Sequence, residues 1–197
     1  MEYFSTDWQG AALIIRDLEP RDVPVLVEYW HGNTEDFIRS IGALPEKRGS
    51  RETTTAMFEE ALTSADRERG RRIFVVTYRD EVVAYALLNI TSKENAYAHA
   101  HVVRPEWRGQ GMASRLFGGM IETFLAQGVE RIQFQTSPEN LAINGLLQKF
   151  GLHYREIDIA NPDGMARPGR FFSYELDGAA LDEIRARLRP VAVGRTT

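Results

Sequence analysis

Val102-Val-Arg-Pro-Glu-Trp-Arg-Gly-Gln-Gly-Met-Ala113 is the stretch on which the reading of this chain turns. It joins a strand-like run, Tyr97 to Arg104, to a helix-like run, Met112 to Gln127. Glycines at 109 and 111 let the connecting turn take positive φ and let a ligand come close to bare backbone. The helix that follows aims its unpaired first-turn N–H groups and the positive end of its dipole at the same spot. Such a turn is an anion site of the phosphate-binding type. Pro105 has no N–H to donate and biases Arg104 toward extended geometry, so the strand stops there.

Two familiar phosphate loops do not fit. A dinucleotide fingerprint needs a third small residue in G-x-G-x-x-G, whereas position 114 is Ser and the loop follows a late strand. The Gly-Lys-Ser/Thr of a P-loop is absent. What fits is Arg108-x-x-Gly111-x-Ala113 after Val-Val-x-Pro, which resembles the acyl-CoA-binding motif of the GNAT superfamily of N-acyltransferases. Asn140 and the Lys149-Phe150-Gly151-Leu152 helix end extend the match, being similar to that family's Asn-containing helix closing with Gly-Phe. The resemblance covers positions 11 to 176, so the chain divides into an N-terminal extension (1–10), the GNAT-like domain (11–176) and a C-terminal helix and tail (177–197).

Bulk properties agree with one domain. A chain of 197 residues with 43% hydrophobic and 26% charged content can bury a substantial core. Cys is absent, which excludes disulfides, thiolate metal sites and a Cys nucleophile, and fits a reducing compartment. Met1 to Gly10 has neither a basic n-region nor an apolar h-region, and no apolar run reaches the length of a membrane span. A soluble cytoplasmic protein with no membrane partner is therefore expected. The net charge of −4, with Arg spread along the chain, shows no nucleic-acid footprint. The densest basic run, Arg67 to Arg72, reads as a solvated link because no aromatic residues alternate with it.

Outward from the central motif, Ala12 to Arg16 is the expected first strand, and Val23, Leu26, Val27 and Trp30 recur at helical spacing after Pro20. His31 to Arg51 is polar and broken by Gly32, Gly42, Pro45 and Gly49, with a short apolar cluster at Phe37, Ile38 and Ile41. It reads as a mobile helix and loop, equally a lid over an acceptor substrate or a variable surface insertion. Met57, Phe58, Ala61 and Leu62 form a second helical stripe, and Ile73 to Tyr78 with Val82 to Ile90 form a hairpin. The helix after the loop carries Leu116, Phe117, Met120, Ile121, Phe124 and Leu125 on one face and ends at Gly128. Gly118 and Gly119 interrupt it at about 1 kcal/mol each relative to Ala, so either another element packs very closely there or the helix is locally weak. Arg131 to Thr136 is the next strand, Ser137-Pro138 the expected start of a helix that ends at Gly151, and Tyr154 to Ile159 with Arg170 to Leu176 the last strands. A helix over Ala179 to Leu188 and a disordered tail close the chain.

The order βααββ then βαβαββ implies an α/β (α+β) fold with a mixed sheet flanked by helices. The GNAT resemblance implies the particular arrangement: a mostly antiparallel sheet in which two central strands splay apart and a pantetheine arm lies in the gap. It further implies that Val102 and Val103 offer backbone hydrogen bonds to that arm, and that Arg108, Gly109, Gln110, Gly111, Met112 and Ala113 cradle a pyrophosphate. Asn140 joins them as a cofactor-site residue, with acetyl-CoA the expected donor. His99 and His101 lie two apart in a strand, share one face with Tyr97, and are the candidate bases for an incoming ammonium group, since an imidazole titrates near working pH. A packed structural pair is nearly as good a reading. A metal pair ranks lower, because no third ligand is evident from the spacing, and no metal is expected. His31, in a loop, and His153 stand alone.

Many GNAT enzymes carry a Tyr in the Asn-containing helix that protonates the departing thiolate, and the match of Gly151-Leu152 to Gly-Phe puts Leu147 there. Water or another hydroxyl would then serve as the acid. The expected activity is transfer of an acetyl group to a primary amine by direct attack in a ternary complex, the acceptor being a small molecule or a peptide. A catalytically silent acyl-CoA-binding sensor or scaffold is the rival from another class. Either is compatible with a homodimer.

Overall fold

The computed structural model describes residues 1–41, 43–63, 70–92, 95–102, 105–160, 168–177, 179–180 and 182–184, with backbone alone at 100–102, 105 and 115. The strands are β1 (Glu2–Trp8), β2 (Ala11–Asp17), β3 (Arg71–Tyr78), β4 (Glu81–Ser92), β5 (Asn95–Val102), β6 (Ile132–Thr136), β7 (Tyr154–Ile159) and β8 (Gly169–Leu176). The helices are α1 (Val23–Gly32), α2 (Glu35–Ser40), α3 (Arg51–Glu60), α4 (Met112–Leu125) and α5 (Leu141–Lys149). All eight strands join one sheet in the order β1-β2-β3-β4-β5-β6-β8-β7. Neighbours are antiparallel except β5 and β6, which run parallel. This is the mixed, mostly antiparallel α/β architecture expected from the element order.

Strand alternation sends successive side chains to two different cores. Phe74 and Val76 of β3 join Leu116, Phe117, Ile121 and Phe124 of α4 and Leu147 of α5 on one face. Ile73 and Val75 join Leu26, Val27 and Trp30 of α1 and Phe58 of α3 on the other. That two-sided burial explains why β3 reads as a nearly continuous apolar run.

Four expectations need correction. The first strand is β1, not Ala12 to Arg16. Residues 2–8 of the expected N-terminal extension form an edge strand, turned back onto β2 by Gln9 and Gly10 at φ 48° and 78°. Positive φ at both loop positions is the primed geometry that matches strand twist. His31 lies in the last turn of α1 rather than in a loop. The segment after it is mostly capped structure: the Thr34 hydroxyl accepts from Phe37 N–H at 3.3 Å and the Ser50 hydroxyl from Thr53 N–H at 3.2 Å. Lastly, α5 begins three residues later than Ser137-Pro138 suggests, because Asn140 caps it by accepting from Ile143 N–H at 3.5 Å.

The glycine pair in α4 has a resolved cause at position 119. A Cβ built there would sit 2.2 Å from Cδ1 of Phe4, so the β1 ring packs directly on the helix backbone. Close approach is the right alternative there. At the C-terminal end, residues 179–180 and 182–184 are helical, Asp177 accepts from Ala180 N–H at 3.1 Å, and Ile184 is buried in the first core. The remainder of the expected final helix and tail, most of the 161–169 hairpin loop and residues 67–69 of the Arg67–Arg72 run lie outside the described residues.

Candidate active site

The sheet opens between β5 and β6. Their ladder is limited to Ala96 with Ile132 and Tyr97 with Gln133, although β5 continues to Val102 and β6 to Thr136. Beyond that point β5 keeps its pairing to β4, with Leu87 opposite His99, Tyr85 opposite His101 and Ala84 opposite Val102. The strands therefore part over their C-terminal halves, leaving peptide groups on the facing edges for an extended ligand to meet. Val102 stands at the end of this edge, and Val103 lies outside the described residues.

The loop after β5 turns into α4 through Gly109 at φ 74° and Gly111 at φ 82°. Gly111 is the N-cap, it offers no side chain to the first-turn N–H groups, and that turn holds no acidic residue. A Cβ at either glycine would meet nothing within 4 Å, so both present bare backbone to open space. These are the features a pyrophosphate needs, since its charge would meet the helix dipole and free donors without a steric barrier. Met112, by contrast, is 1% exposed and anchors the helix start in the core, so only its backbone can face a ligand. Ala113 is on the exposed side.

The loop is held by aromatic packing the sequence did not single out. Trp107 stands edge-on to Trp8 and to Tyr78, each at 5.3 Å between centroids, tying the loop to the β1–β2 and β3–β4 ends. Tyr78 donates its hydroxyl to Gln9 O at 3.2 Å, Gln9 donates to the Gln110 side chain at 3.3 Å, and Gln110 donates to Glu106 O. Gln110 is thus a brace within the loop.

Arg108 points toward the helices on the opposite side. Its guanidinium lies over the Phe37 ring of α2, 4.2 Å from the centroid, a contact in which a cation meets the negative face of the ring. The same charge reaches Tyr29 of α1, where burial pushes the hydroxyl pKa up and Arg108 pulls it partly back. Tyr29 contacts Phe37 at 5.9 Å and Tyr85 at 5.9 Å, and Trp30 donates its indole N–H to the Tyr85 hydroxyl at 3.0 Å. An aromatic wall therefore runs from the loop to the strand opposite His101. Phe37 was legible in the sequence only as a member of an apolar cluster.

His99 is on the α1–α3 face of the sheet, beside Leu87. Water reaches the ring, yet protein surrounds it closely enough that desolvation lowers its pKa below the ordinary 6.5. It is accordingly neutral at neutral pH and able to accept a proton. His101 follows in the same strand alternation, opposite Tyr85. The other histidines have different settings: His31 Nε2 is 2.8 Å from the Thr54 hydroxyl, and His153 sits beyond α5 near Gln148 and Tyr154. Among the described residues no three His, Asp or Glu side chains are grouped to hold a metal ion. No helix among them is long and apolar enough to cross a membrane.

On α5, Asn140 is occupied by its capping bond. Leu147 is 0% exposed and packs in the first core. The neighbouring polar group is Tyr174 of β8, fully buried, which donates to the Asn144 side chain at 2.9 Å and accepts from Gln148 at 3.3 Å. Its hydroxyl is committed to that network and its pKa is raised by burial.

With this geometry in view, comparison with known proteins is informative. The model of the acetyltransferase (GNAT) family matches residues 28–152. No curated protein matches the chain. Solved structures do. One is a ribosomal L7/L12 alpha-N-protein acetyltransferase in complex with coenzyme A, at TM-score 0.71 and 14% identity, over 90% of this chain and 98% of that one. A spermidine N-acetyltransferase from Vibrio cholerae, with CoA and spermine, gives 0.69 and 16% over 86% and 97%. An aminoglycoside acetyltransferase with coenzyme A gives 0.66 and 18% over 87% and 98%. At such identities the likeness concerns the fold.

Proposed function

We propose, from the premise that this chain belongs to the GNAT acetyltransferase family, that it moves an acetyl group from acetyl-CoA to a primary amine by direct attack in a ternary complex. The observation that carries the reading is the parted β5–β6 pair leading into a bare glycine turn at the start of α4. Acetyl-CoA supplies the activated thioester. The chain's residues divide the remaining work. Backbone of Val102 and Val103 would align the pantetheine arm along the β5 edge, and the N–H groups from Gly109 to Ala113 would hold the pyrophosphate, the expected contribution of the Arg108 side chain being replaced by its stack on Phe37. Asn140 would contribute by fixing the start of α5.

Rate would come chiefly from holding amine and thioester together, with the carbonyl oxygen polarised by backbone N–H near Val103. His99, neutral and reached by water, is the proposed acceptor of the amine's proton, with His101 as the second candidate. The thiolate would take its proton from water or another hydroxyl, because Leu147 has none to give. The structural neighbours act on a ribosomal protein, a polyamine and an aminoglycoside, so an amine acceptor is the shared element.

Buried Leu147 is also what favours the rival reading, a silent acyl-CoA-binding module. One experiment separates them: purified protein is titrated with acetyl-CoA by calorimetry and then assayed for free thiol with a mixed amine panel. Binding with amine-dependent thiol release supports the enzyme. Binding without release across the panel supports the silent module, and no binding removes both.

A further inference from the structure

The turn that opens α4 has little in its own sequence to hold it still. Gly109 and Gly111 stand at φ 74° and 82°, and a Cβ on either would meet nothing within 4 Å, so no neighbour presses on them directly. Glycine loses more conformational freedom on ordering than any other residue, so a turn with two of them keeps one arrangement only if its flanks are fixed. One flank is Met112, 1% exposed in the first core. The other is Trp107, and the N-terminal hairpin sets its place.

Trp8, Tyr78 and Trp107 form a closed triangle of rings. Trp8 and Tyr78 are 5.2 Å apart between centroids, Trp107 is 5.3 Å from each, and all three pairs are edge-on. Such contacts are the favoured geometry of aromatic pairs, and a ring that satisfies two of them at once has little room to shift. Polar contacts follow the same path, since Tyr78 donates to Gln9 O at 3.2 Å and Gln9 donates to Gln110, inside the turn, at 3.3 Å. Trp8 is 9% exposed and ends β1, where it pairs with Ala11 of β2. Four residues earlier the Phe4 ring lies against Gly119. β1 therefore grips both α4 and the turn ahead of it. Trp8 lies outside the residues 28–152 that the family model matches, so family membership by itself assigns it no role.

We propose that Trp8 is a positioning residue for acetyl-CoA binding: acting through Trp107, it holds the N–H groups from Gly109 to Ala113 in their phosphate-binding arrangement before the ligand arrives. The proposal rests on the acetyltransferase reading given above, in which that turn meets the pyrophosphate. A turn already in its bound arrangement loses no ordering entropy on binding, whereas a loosened one binds more weakly in proportion to the fraction of time it is competent.

The test uses the full chain and acetyl-CoA, with affinity read by calorimetry on folded protein. Trp8→Leu should raise the Kd about 10-fold, a magnitude typical of coupling between sites, and Trp8→Phe, which keeps an edge-on ring, should restore it to within about threefold. Trp107→Leu should match Trp8→Leu, and the double variant should add nothing further, because residues acting through one contact are not additive. Phe124→Leu, in the same core at the far end of α4, is the control: it should lower stability in urea and leave the Kd unchanged. Coupling is reciprocal, so saturating acetyl-CoA should slow hydrogen exchange of the β1 amides paired with β2 by about 10-fold in the wild-type chain. An unchanged Kd in Trp8→Leu, an equal loss of affinity in Phe124→Leu, or β1 exchange indifferent to acetyl-CoA overturns this inference and leaves the acetyltransferase reading standing. Should Trp8→Leu fail to fold, the exchange measurement decides alone. Failure of the wild-type chain to bind acetyl-CoA overturns both.

Discussion

Gly111→Val tests the phosphate cradle, and the structure supplies its own control. Gly111 and Gly128 have φ of 82° and 81°, and a Cβ built on either meets nothing within 4 Å. Valine should therefore strain the backbone comparably at both sites, by about 1–2 kcal/mol or somewhat more for a β-branched residue. What differs is location. Gly111 caps the start of α4, where the first-turn N–H groups emerge, whereas Gly128 follows its other end. A side chain at 111 would stand between those donors and the pyrophosphate. Losing two charge-assisted hydrogen bonds, at about 1.5–3 kcal/mol each, amounts to about 3–6 kcal/mol, or roughly 10²- to 10⁴-fold in affinity. Urea unfolding should show similar stability losses for Gly111→Val and Gly128→Val. Calorimetry on the folded proteins should show acetyl-CoA binding largely lost only in the former. Equal affinities in the two variants would refute the assignment of this turn to the phosphates, whatever their stabilities.

Further outcomes follow from the same geometry. Gly119→Ala should destabilise by about 1–2 kcal/mol, since overpacking against Phe4 outweighs the gain of about 1 kcal/mol in helix propensity. In a Phe4→Ala background the same change should stabilise, and an identical effect in both backgrounds would disprove the contact. His99→Asn should lower turnover by roughly 100-fold or more at unchanged acetyl-CoA affinity. The acid limb of the wild-type kcat/KM profile should lie below pH 6.5, because desolvation depresses the His99 pKa. Full turnover in both His99→Asn and His101→Asn between pH 6 and 9 would make the pair structural. The sign for stability is the same: a depressed folded pKa means His99 contributes fully above 6.5, and its contribution is lost as pH falls below 6.5 and through the depressed folded pKa. Leu147→Phe should cost about 1–3 kcal/mol by overpacking a fully buried site, and the alkaline limb of the pH–rate profile should stay in place. A large displacement of that limb would show that this position faces the reaction after all.

Local chemistry is what the sequence by itself determined. The glycine turn and the helix it opens were legible because positive φ, a free helix start and a 3.6-residue apolar period are properties of neighbours in the chain. The β7 strand was read to its exact limits, and the β3–β4 hairpin to within two residues at each end, for the same reason. The family followed from that motif together with Asn140 and Gly151, without any knowledge of contacts. Tertiary structure decided everything that depends on residues distant in sequence. β1 escaped notice because an edge strand with one solvated face carries a weak apolar signal, and only its pairing with β2 and the seat of Phe4 on Gly119 show its place. Whether Gly119 meant weakness or close packing could not be read from α4 alone. The parting of β5 from β6 leaves no mark on either strand, since it is an absence of pairing between segments 30 or more residues apart. Arg108 stacks on Phe37 for the same physical reason: the direction of a side chain is local, but what stands in front of it is set by how the sheet and its helices pack.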